Sequence, residues 1–429
     1  MLVTLSFYII MILLVSYFSK QGIGLVIILA WWGILNVITY FSLSGLFLIS
    51  NETQLVYFLF FTFIVISFLM VEKLLPSIRL KKSYLTINLY FYDILFRLAL
   101  IVLIPIQLMF SLRAIYLISF VMTPSYYRSD VFGLITGTST LFYNSIQLAK
   151  IHAFVIGPLQ FVIFFAGFSY FAFCKKKGLL VLGALLIILD ALMMYGRFGY
   201  HYLIFSLFLF FLFYRERKKV NEMKKIVIIS FLFLFFLILV LYKITSDRDK
   251  LSLIDVFKTY FVTYHTESFV IFDTELKNPN SILHEYTYGL STFGGVERYF
   301  IPLVNKFGYS LISQADLVGG YLHQNFLIGY DEYHKPLLFN AYGSIFFAMY
   351  RDGGLIAVSL FGILFGFFLS FYSVSLKSKD PIDFAIFYGL LFIFIYGVFQ
   401  PTVLGPMLPA LFILYLLKVF LKAYTKLIH

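Results

Sequence analysis

Charge is what this chain most conspicuously lacks. Only 13% of its 429 residues are Asp, Glu, Lys or Arg, while 61% are hydrophobic. A soluble domain carries about 25% charge, so a chain this apolar needs lipid around it. Cysteine is nearly absent. The single Cys174 excludes a disulfide framework and any Cys-based metal cluster. It adjoins Lys175, Lys176 and Lys177, which implies a cytosolic, reduced setting. Several catalytic signatures are missing as well: there is no P-loop, no GxGxxG after a strand and no HExxH. No metal site and no cofactor is therefore expected. Internal repeats, low-complexity runs and a soluble domain are absent too. The N-terminus has neither a positive leader nor a small-residue cleavage site, so it reads as a first membrane span and not as a signal peptide.

What is present is a series of long apolar stretches. A spanning helix needs about 20 apolar residues, because the hydrocarbon core is roughly 30 Å thick and each residue rises about 1.5 Å. Eleven stretches qualify, near 2–19, 23–48, 54–74, 89–112, 151–173, 178–195, 199–214, 226–243, 354–376, 384–400 and 403–421. The expected fold is all-α: a polytopic membrane protein of about 11 transmembrane helices, with residues 1–429 forming one integral membrane domain. The sixth and seventh stretches are short and joined by Tyr195, Gly196, Arg197 and Phe198, which predicts a helical hairpin.

Basic residues set the expected orientation. With the N-terminus outside, the inner connections hold Lys20, Lys73, Arg79, Lys81, Lys82, Lys175–Lys177, Arg215, Arg217, Lys218, Lys219, Lys224, Lys225, Lys377, Lys379, Lys418, Lys422 and Lys426. These are 19 of the 33 Lys and Arg residues. The short outer turns near 50 and 401–409 hold none, and the hairpin turn holds only Arg197. This asymmetry predicts an N-out, C-in topology. It also accounts for most of the net charge of +12, so nucleic acid is not an expected partner.

Two outer connections are long. Residues 113–150 contain Pro124, Tyr126, Tyr127, Arg128 and Asp130. Residues 244–353 form one large extracytoplasmic loop, with both signs of charge and four of the seven His. It is too polar to span and too long to be a mere connection. Leu253–Tyr264 and Asn340–Tyr350 read as amphipathic helices on or in the membrane surface.

Charges in or at the edge of a span cost about 2.5–3.5 kcal/mol at the helix centre and need a reason. The hairpin carries Asp190, Arg197 and, one turn on, His201. Arg197 suits a phosphate, because its fork binds two oxygens at once. Equally, it could snorkel to headgroups, with His201 a hydrogen-bonded core residue. Asp93 and Arg97, four apart near the inner end of the fourth stretch, read as a structural helix-face ion pair. The large loop contains His265, Glu267, Glu297, Arg298, His323, Asn340, Tyr342, Arg351 and Asp352. Asp352 can cap the helix that follows, with Gly353 and Gly354 allowing the turn and Arg351 snorkelling; a functional role is compatible with this. The 55 Phe and 33 Tyr supply stacking faces for sugars, but interfacial aromatic belts explain them as well.

The chain resembles the Wzy-type oligosaccharide repeat-unit polymerases of O-antigen and capsule synthesis. The likeness rests on a long outer loop late in the chain followed by terminal spans, and on the mid-chain Gly196-Arg197 turn. It rests above all on the segment from Asn340 through Tyr342 and Tyr350 to Arg351-Asp352-Gly353-Gly354, followed by Gly362 and Gly366. Where the family usually has an aromatic after the Asp, this chain has Gly353. The resemblance implies a GT-C-like glycosyltransferase of the bacterial inner membrane. It would move a growing glycan from an undecaprenyl-diphosphate carrier onto a second lipid-linked repeat unit at the outer face, without a metal. Donor and acceptor lipids are then its partners, together with the bilayer, a chain-length regulator and a flippase. The leaving diphosphate needs positive charge, for which Arg197, Arg298, Arg351 and Arg128 are candidates, with His201, Asn340 and Tyr342 as further substrate contacts. The acceptor hydroxyl needs a base, for which His323, Glu297, Asp352, His265 and Glu267 are candidates. Inversion and retention are both open. The expected site lies between hairpin tip and large loop. Rival readings are a lipid-linked oligosaccharide flippase or exporter, and an O-antigen ligase; an acyltransferase lacks its His-based motif.

Overall fold

The structure, a computed structural model, describes residues 1–42, 45–75, 85–131, 138–196, 198–214, 239, 263–331, 333–339, 343–376 and 380–428. It is 78% helical with almost no sheet, which is how a chain in lipid satisfies its backbone N–H and C=O groups internally. Among the described residues, four helices are long and apolar enough to cross a membrane: Asn51–Leu74, Leu89–Val121, Ile146–Cys174 and Gly354–Ser375. Shorter apolar helices run over Leu2–Phe18, Ile23–Thr39, Gly178–Met193, Pro381–Tyr396 and Met407–Leu421, and over Phe198–Tyr214. Each expected stretch except 226–243, of which only Leu239 is described, coincides with one of these helices. The 23–48 stretch shortens most. Its helix ends at Thr39, and Leu46 instead bridges Gly329. Local signals explain several boundaries. Ser50 caps Asn51–Leu74 by accepting the Thr53 N–H, and Asp380 caps Pro381–Tyr396 by accepting the Ile382 N–H at 2.9 Å, both ordinary N-cap chemistry.

The chain divides into two compact units. The first comprises Met1–Ser83 and Phe257–Leu416. In it α1 (Leu2–Phe18), α2 (Ile23–Thr39) and α3 (Asn51–Leu74) pack with helices from the C-terminal part. The α3 helix lies along α13 (Gly354–Ser375) at close range. A Cβ on Gly362 would sit 2.8 Å from the Phe60 carbonyl oxygen, and one on Gly366 2.5 Å from that of Ile64. The Gly362–Gly366 spacing is therefore a small-residue seam that lets two backbones touch. Ser67 Oγ adds a hydrogen bond of 2.7 Å to the Ile363 carbonyl across it.

Between these elements lies the region expected to be the large loop. It folds as α9 (Tyr264–Lys277), α10 (Gly294–Asn305), α11 (Gln314–Leu322), strands β1 (Phe326–Tyr330) and β2 (Pro336–Phe339), and α12 (Ile345–Arg351). The antiparallel β-hairpin was not anticipated. Its short apolar runs flanking Asp331–Lys335 were the available signal. The expected surface helix over Asn340–Tyr350 is corrected. Asn340 to Tyr342 lie outside the described residues, and the helix that follows is not amphipathic: Ile345, Phe346, Phe347, Ala348 and Met349 are all fully buried. Phe346 is the hub of the core, with its ring 4.6 Å from Tyr57, 5.0 Å from Phe60 and 5.1 Å from Trp32. Trp32 Nε1–H in turn donates to the Phe394 carbonyl at 2.9 Å. Of the expected Leu253–Tyr264 helix only Thr263 and Tyr264 are described, and Tyr264 opens α9.

The second unit comprises Tyr84–Val256 and Leu417–His429. Its described helices are α4 (Leu89–Val121), α5 (Pro124–Val131), α6 (Ile146–Cys174), α7 (Gly178–Met193) and α8 (Phe198–Tyr214). The helical hairpin of α7 and α8 is present: a Cβ on Gly199 would meet the Ala191 methyl at 2.7 Å, so the two helices touch just behind the turn. The long helices are not uniform. π-Helical turns interrupt α4 at Leu98–Leu103 and Leu117–Val121, and α6 at His152–Ile156. The expected Asp93–Arg97 ion pair is replaced. Asp93 faces Lys176 Nζ at 3.9 Å across the exit of α6, and both side chains are well exposed, so the contact is worth little.

Candidate functional site

In the first unit the chain reverses between α12 and α13 through Gly353 (φ 156°) and Gly354 (φ 62°). Both lie in the region that only glycine enters freely. The reversal turns Asp352 away from the helix it was expected to cap; Gly353 takes the cap position and no side chain caps α13. The Asp352 carboxylate, nearly buried at 3% exposure, reaches the 287–292 loop instead. One oxygen accepts Thr287 Oγ1–H at 2.5 Å and the Ser291 N–H at 2.9 Å; the other accepts the Thr292 N–H at 2.8 Å. In return Thr287 N–H donates to the Arg351 carbonyl at 3.0 Å and Tyr288 N–H to the Asp352 carbonyl at 3.1 Å. These bonds satisfy carbonyls that the end of α12 would otherwise leave unpaired. Asp352 is thus a latch between α12 and the loop.

Arg351 does not snorkel. It is 2% exposed, and its donors face protein acceptors. Nε–H bonds the Ile282 carbonyl at 2.9 Å, Nη1 bonds Gln314 Oε1 at 2.6 Å, and Nη2 lies 3.4 Å from Glu285 Oε2. Burial pulls the guanidinium pKa down, while Glu285 and Asp352 hold it up. Arg351 therefore ties the 282–285 turn and the start of α11 to α12. Its side chain is enclosed by the protein, which is a poor setting for a lipid diphosphate.

Glu297 and Arg298 lie in the first turns of α10. Glu297 accepts the Gln314 N–H at 3.2 Å. Burial raises its carboxyl pKa, Asp316 adds to this, and the Gln314 N–H and Arg298 oppose it. Arg298 Nη2 pairs with Asp316 at 3.2 Å, at the rim, where Asp316 is more than half exposed. Farther along α10 and its exit, Phe300, Leu303, Phe307, Tyr309 and Ile312 are exposed. The segment thus joins a carboxyl, a guanidinium and an apolar face. His323 ends α11 with Nδ1 2.5 Å from the Gly319 carbonyl, and its side chain is exposed. His265 lies elsewhere in this unit, edge-on to Phe399 at 4.6 Å and to Trp31 at 5.8 Å. Glu267 is fully buried in α9. The structure gathers Glu297, Arg298, Arg351 and Asp352 around the 281–316 segment; Asn340 and Tyr342 lie outside the described residues.

In the second unit, Arg197 lies outside the described residues. Arg128, on α5, donates from Nη1 to the Met194 carbonyl at 3.0 Å and the Tyr195 carbonyl at 3.2 Å. A cation at a helix C-terminus is favoured by the exposed carbonyls and the helix dipole, so Arg128 braces the turn that leads to Arg197. His201 is half-buried on α8. A group that the sequence did not single out lies in this unit. His152 Nε2 is 3.3 Å from Gln107 Oε1 and 3.9 Å from Asp190 Oδ1. Gln107 Nε2–H donates to Gln160 Oε1 at 2.8 Å, and both carboxamides lie beside the Asp190 carboxylate. These residues come from α4, α6 and α7, far apart in the chain. The available sequence signal was that each is a lone polar side chain within an apolar stretch.

Among the described residues, no group of His, Cys, Asp or Glu has the arrangement to hold a metal ion. Compared with protein-family models, characterised proteins and solved structures, the chain finds no match.

Proposed function

We propose that the protein is a membrane glycosyltransferase of the Wzy type. It polymerises undecaprenyl-diphosphate-linked repeat units at the outer face of a bacterial inner membrane, with its N-terminus outside and its C-terminus cytoplasmic. The observation that carries this reading is the construction of the 281–354 region. The segment with the family resemblance, ending in Arg351-Asp352-Gly353-Gly354, is a buried keystone. It pins a polar platform to the start of a long apolar helix through the latch on Thr287, Ser291 and Thr292. A platform held this firmly over apolar helices suits a reaction at a lipid surface better than a moving gate does.

On this platform the roles divide. Arg298 supplies positive charge for the diphosphate, and the exposed Phe300, Leu303 and Phe307 form a face for its isoprenoid chain. Glu297, whose carboxyl is pushed up by burial, is the preferred base for the acceptor hydroxyl, since a base works best with a pKa near the operating pH. Arg351 and Asp352 hold the platform in place. Arg197, expected as a diphosphate ligand, lies outside the described residues. The reaction forms one glycosidic C–O bond and breaks the anomeric C–O bond to the diphosphate, which leaves with the electron pair. The hydroxyl proton passes to the base.

A second reading is favoured by one observation. The His152–Asp190 group is the kind of polar cluster that exporters carry inside their helices. An exporter of lipid-linked oligosaccharide would move the substrate without lengthening it. Purified protein in liposomes, supplied with a lipid-diphosphate-linked repeat unit, separates the two: polymer ladders support the transferase, and protected substrate of unchanged length supports the exporter.

A further inference from the structure

We propose that His152, Asp190, Gln107 and Gln160 form a proton-binding site within the helices of the second unit, in which imidazole and carboxylate share one exchangeable proton. An ionised carboxylate within an apolar helix is costly, so Asp190 in α7 needs compensation. The group supplies it from two other helices. The Gln107 and Gln160 carboxamides lie beside its carboxylate, and the His152 imidazole approaches one oxygen at 3.9 Å. A small rotation of either side chain brings the two groups into hydrogen-bond range.

The surroundings favour a proton over a larger ligand. The Gln107 and Gln160 carboxamides are tied to each other, and the His152 ring nitrogen lies 3.3 Å from the Gln107 carbonyl oxygen. The imidazole rests against the Phe142 and Phe110 rings at 5.4 and 6.1 Å. The pair is not fully enclosed: the His152 and Asp190 side chains keep 11% and 24% exposure. The backbone adds an independent sign. His152 opens a π-helical turn inside α6, and such turns concentrate at functional sites because they cost backbone regularity. Other charged or titratable groups on the elements packed round the pair are Arg113, Asp130, Lys150, Tyr200, His201 and Tyr202. Arg113 is turned to the Thr140 carbonyl and the Tyr143 ring. Asp130 accepts from Thr140, and Lys150 is exposed.

The proton balance is simple. With one proton bound, the pair is imidazole with carboxylic acid, or imidazolium with carboxylate. Uptake of a second gives imidazolium with carboxylic acid, and loss of the first gives imidazole with carboxylate. Only N–H and O–H bonds change.

The test is an infrared pH titration of the purified protein in lipid nanodiscs, between about pH 4 and 8, without substrate. Subtraction of the Asp190→Asn spectrum should isolate one carboxyl band that titrates, and His152→Gln should move its midpoint by about one unit or more. A difference spectrum with no titrating carboxyl band overturns the proposal, as does a midpoint unmoved in His152→Gln. If Asp190→Asn does not fold, the His152→Gln comparison alone decides by the same criterion. Because the readout needs no substrate, its outcome is independent of whether the protein polymerises glycans.

Discussion

Replacing Asp352 with Asn separates the latch from a catalytic base. The carboxylate takes three donors, Thr287 Oγ1–H and the Ser291 and Thr292 N–H groups, at a site 3% exposed. Asn keeps one acceptor oxygen and turns an NH2 toward the remaining N–H. At least one charge-assisted bond is lost, worth about 1.5–3 kcal/mol, and a buried N–H is left without an acceptor at about 1–3 kcal/mol. The combined loss is about 3 kcal/mol, roughly a hundredfold in the ratio of folded to unfolded protein. For a unit of this size the unfolding temperature should fall by roughly 6–12 °C. Thermal unfolding of the purified protein, with limited proteolysis of the 281–316 segment, reads it directly. Activity at a temperature where the variant is folded should be largely retained. A variant with wild-type melting and no activity would refute the latch and return Asp352 to the chemistry.

Other perturbations have definite signs. Asp273 accepts from Ser50 N–H at 2.8 Å, Thr53 Oγ1–H at 2.8 Å and Lys277 Nζ at 2.5 Å. Burial pushes its pKa up, but Lys277, Ser50 and Thr53 outweigh that and hold it below the usual value. The carboxylate's contribution to stability is present above the ordinary Asp range and is lost as pH falls through the lowered value, so Asp273→Asn should flatten the acid side of the stability curve. For Glu297 the sign reverses. Its raised pKa means the folded state holds the proton longer, so its ionisation costs stability as pH rises past the ordinary Glu value. Glu297→Gln should remove that slope and, if Glu297 is the base, lower the transfer rate by about 10²-fold or more. Gly366→Leu should force α3 and α13 apart, since even a Cβ there meets a backbone oxygen at 2.5 Å; a melting point within a degree of wild type would contradict this.

Helix positions were legible in the sequence because hydropathy integrates over twenty residues, and Ile146–Cys174 or Gly354–Ser375 declare themselves that way. The glycine seam at Gly362 and Gly366 could be seen as a motif, but only the carbonyls of Phe60 and Ile64 give it a cause. Arg351 and Asp352 were identified as important for a reason the structure revises. Position at a membrane entry suggested snorkelling, capping or phosphate binding, whereas their partners lie 37 to 69 residues away, beyond any local pattern. The same holds for Asn340–Tyr350, whose aromatic residues read as a surface helix because periodicity cannot tell membrane contact from the rings of Tyr57, Phe60 and Trp32. Gln107, His152 and Gln160 were invisible for the complementary reason. Each is a single polar residue in its own stretch, and only the packing of α4, α6 and α7 makes them a group with Asp190.

The central claim is that the protein lengthens a lipid-linked glycan. Reconstitution into liposomes with an undecaprenyl-diphosphate-linked repeat unit tests it most directly, by gel separation of the products and by measurement of released undecaprenyl diphosphate. The account predicts a ladder of products spaced by one repeat unit, with one lipid diphosphate freed per added unit. Substrate that stays one unit long, with no lipid diphosphate released, would contradict it.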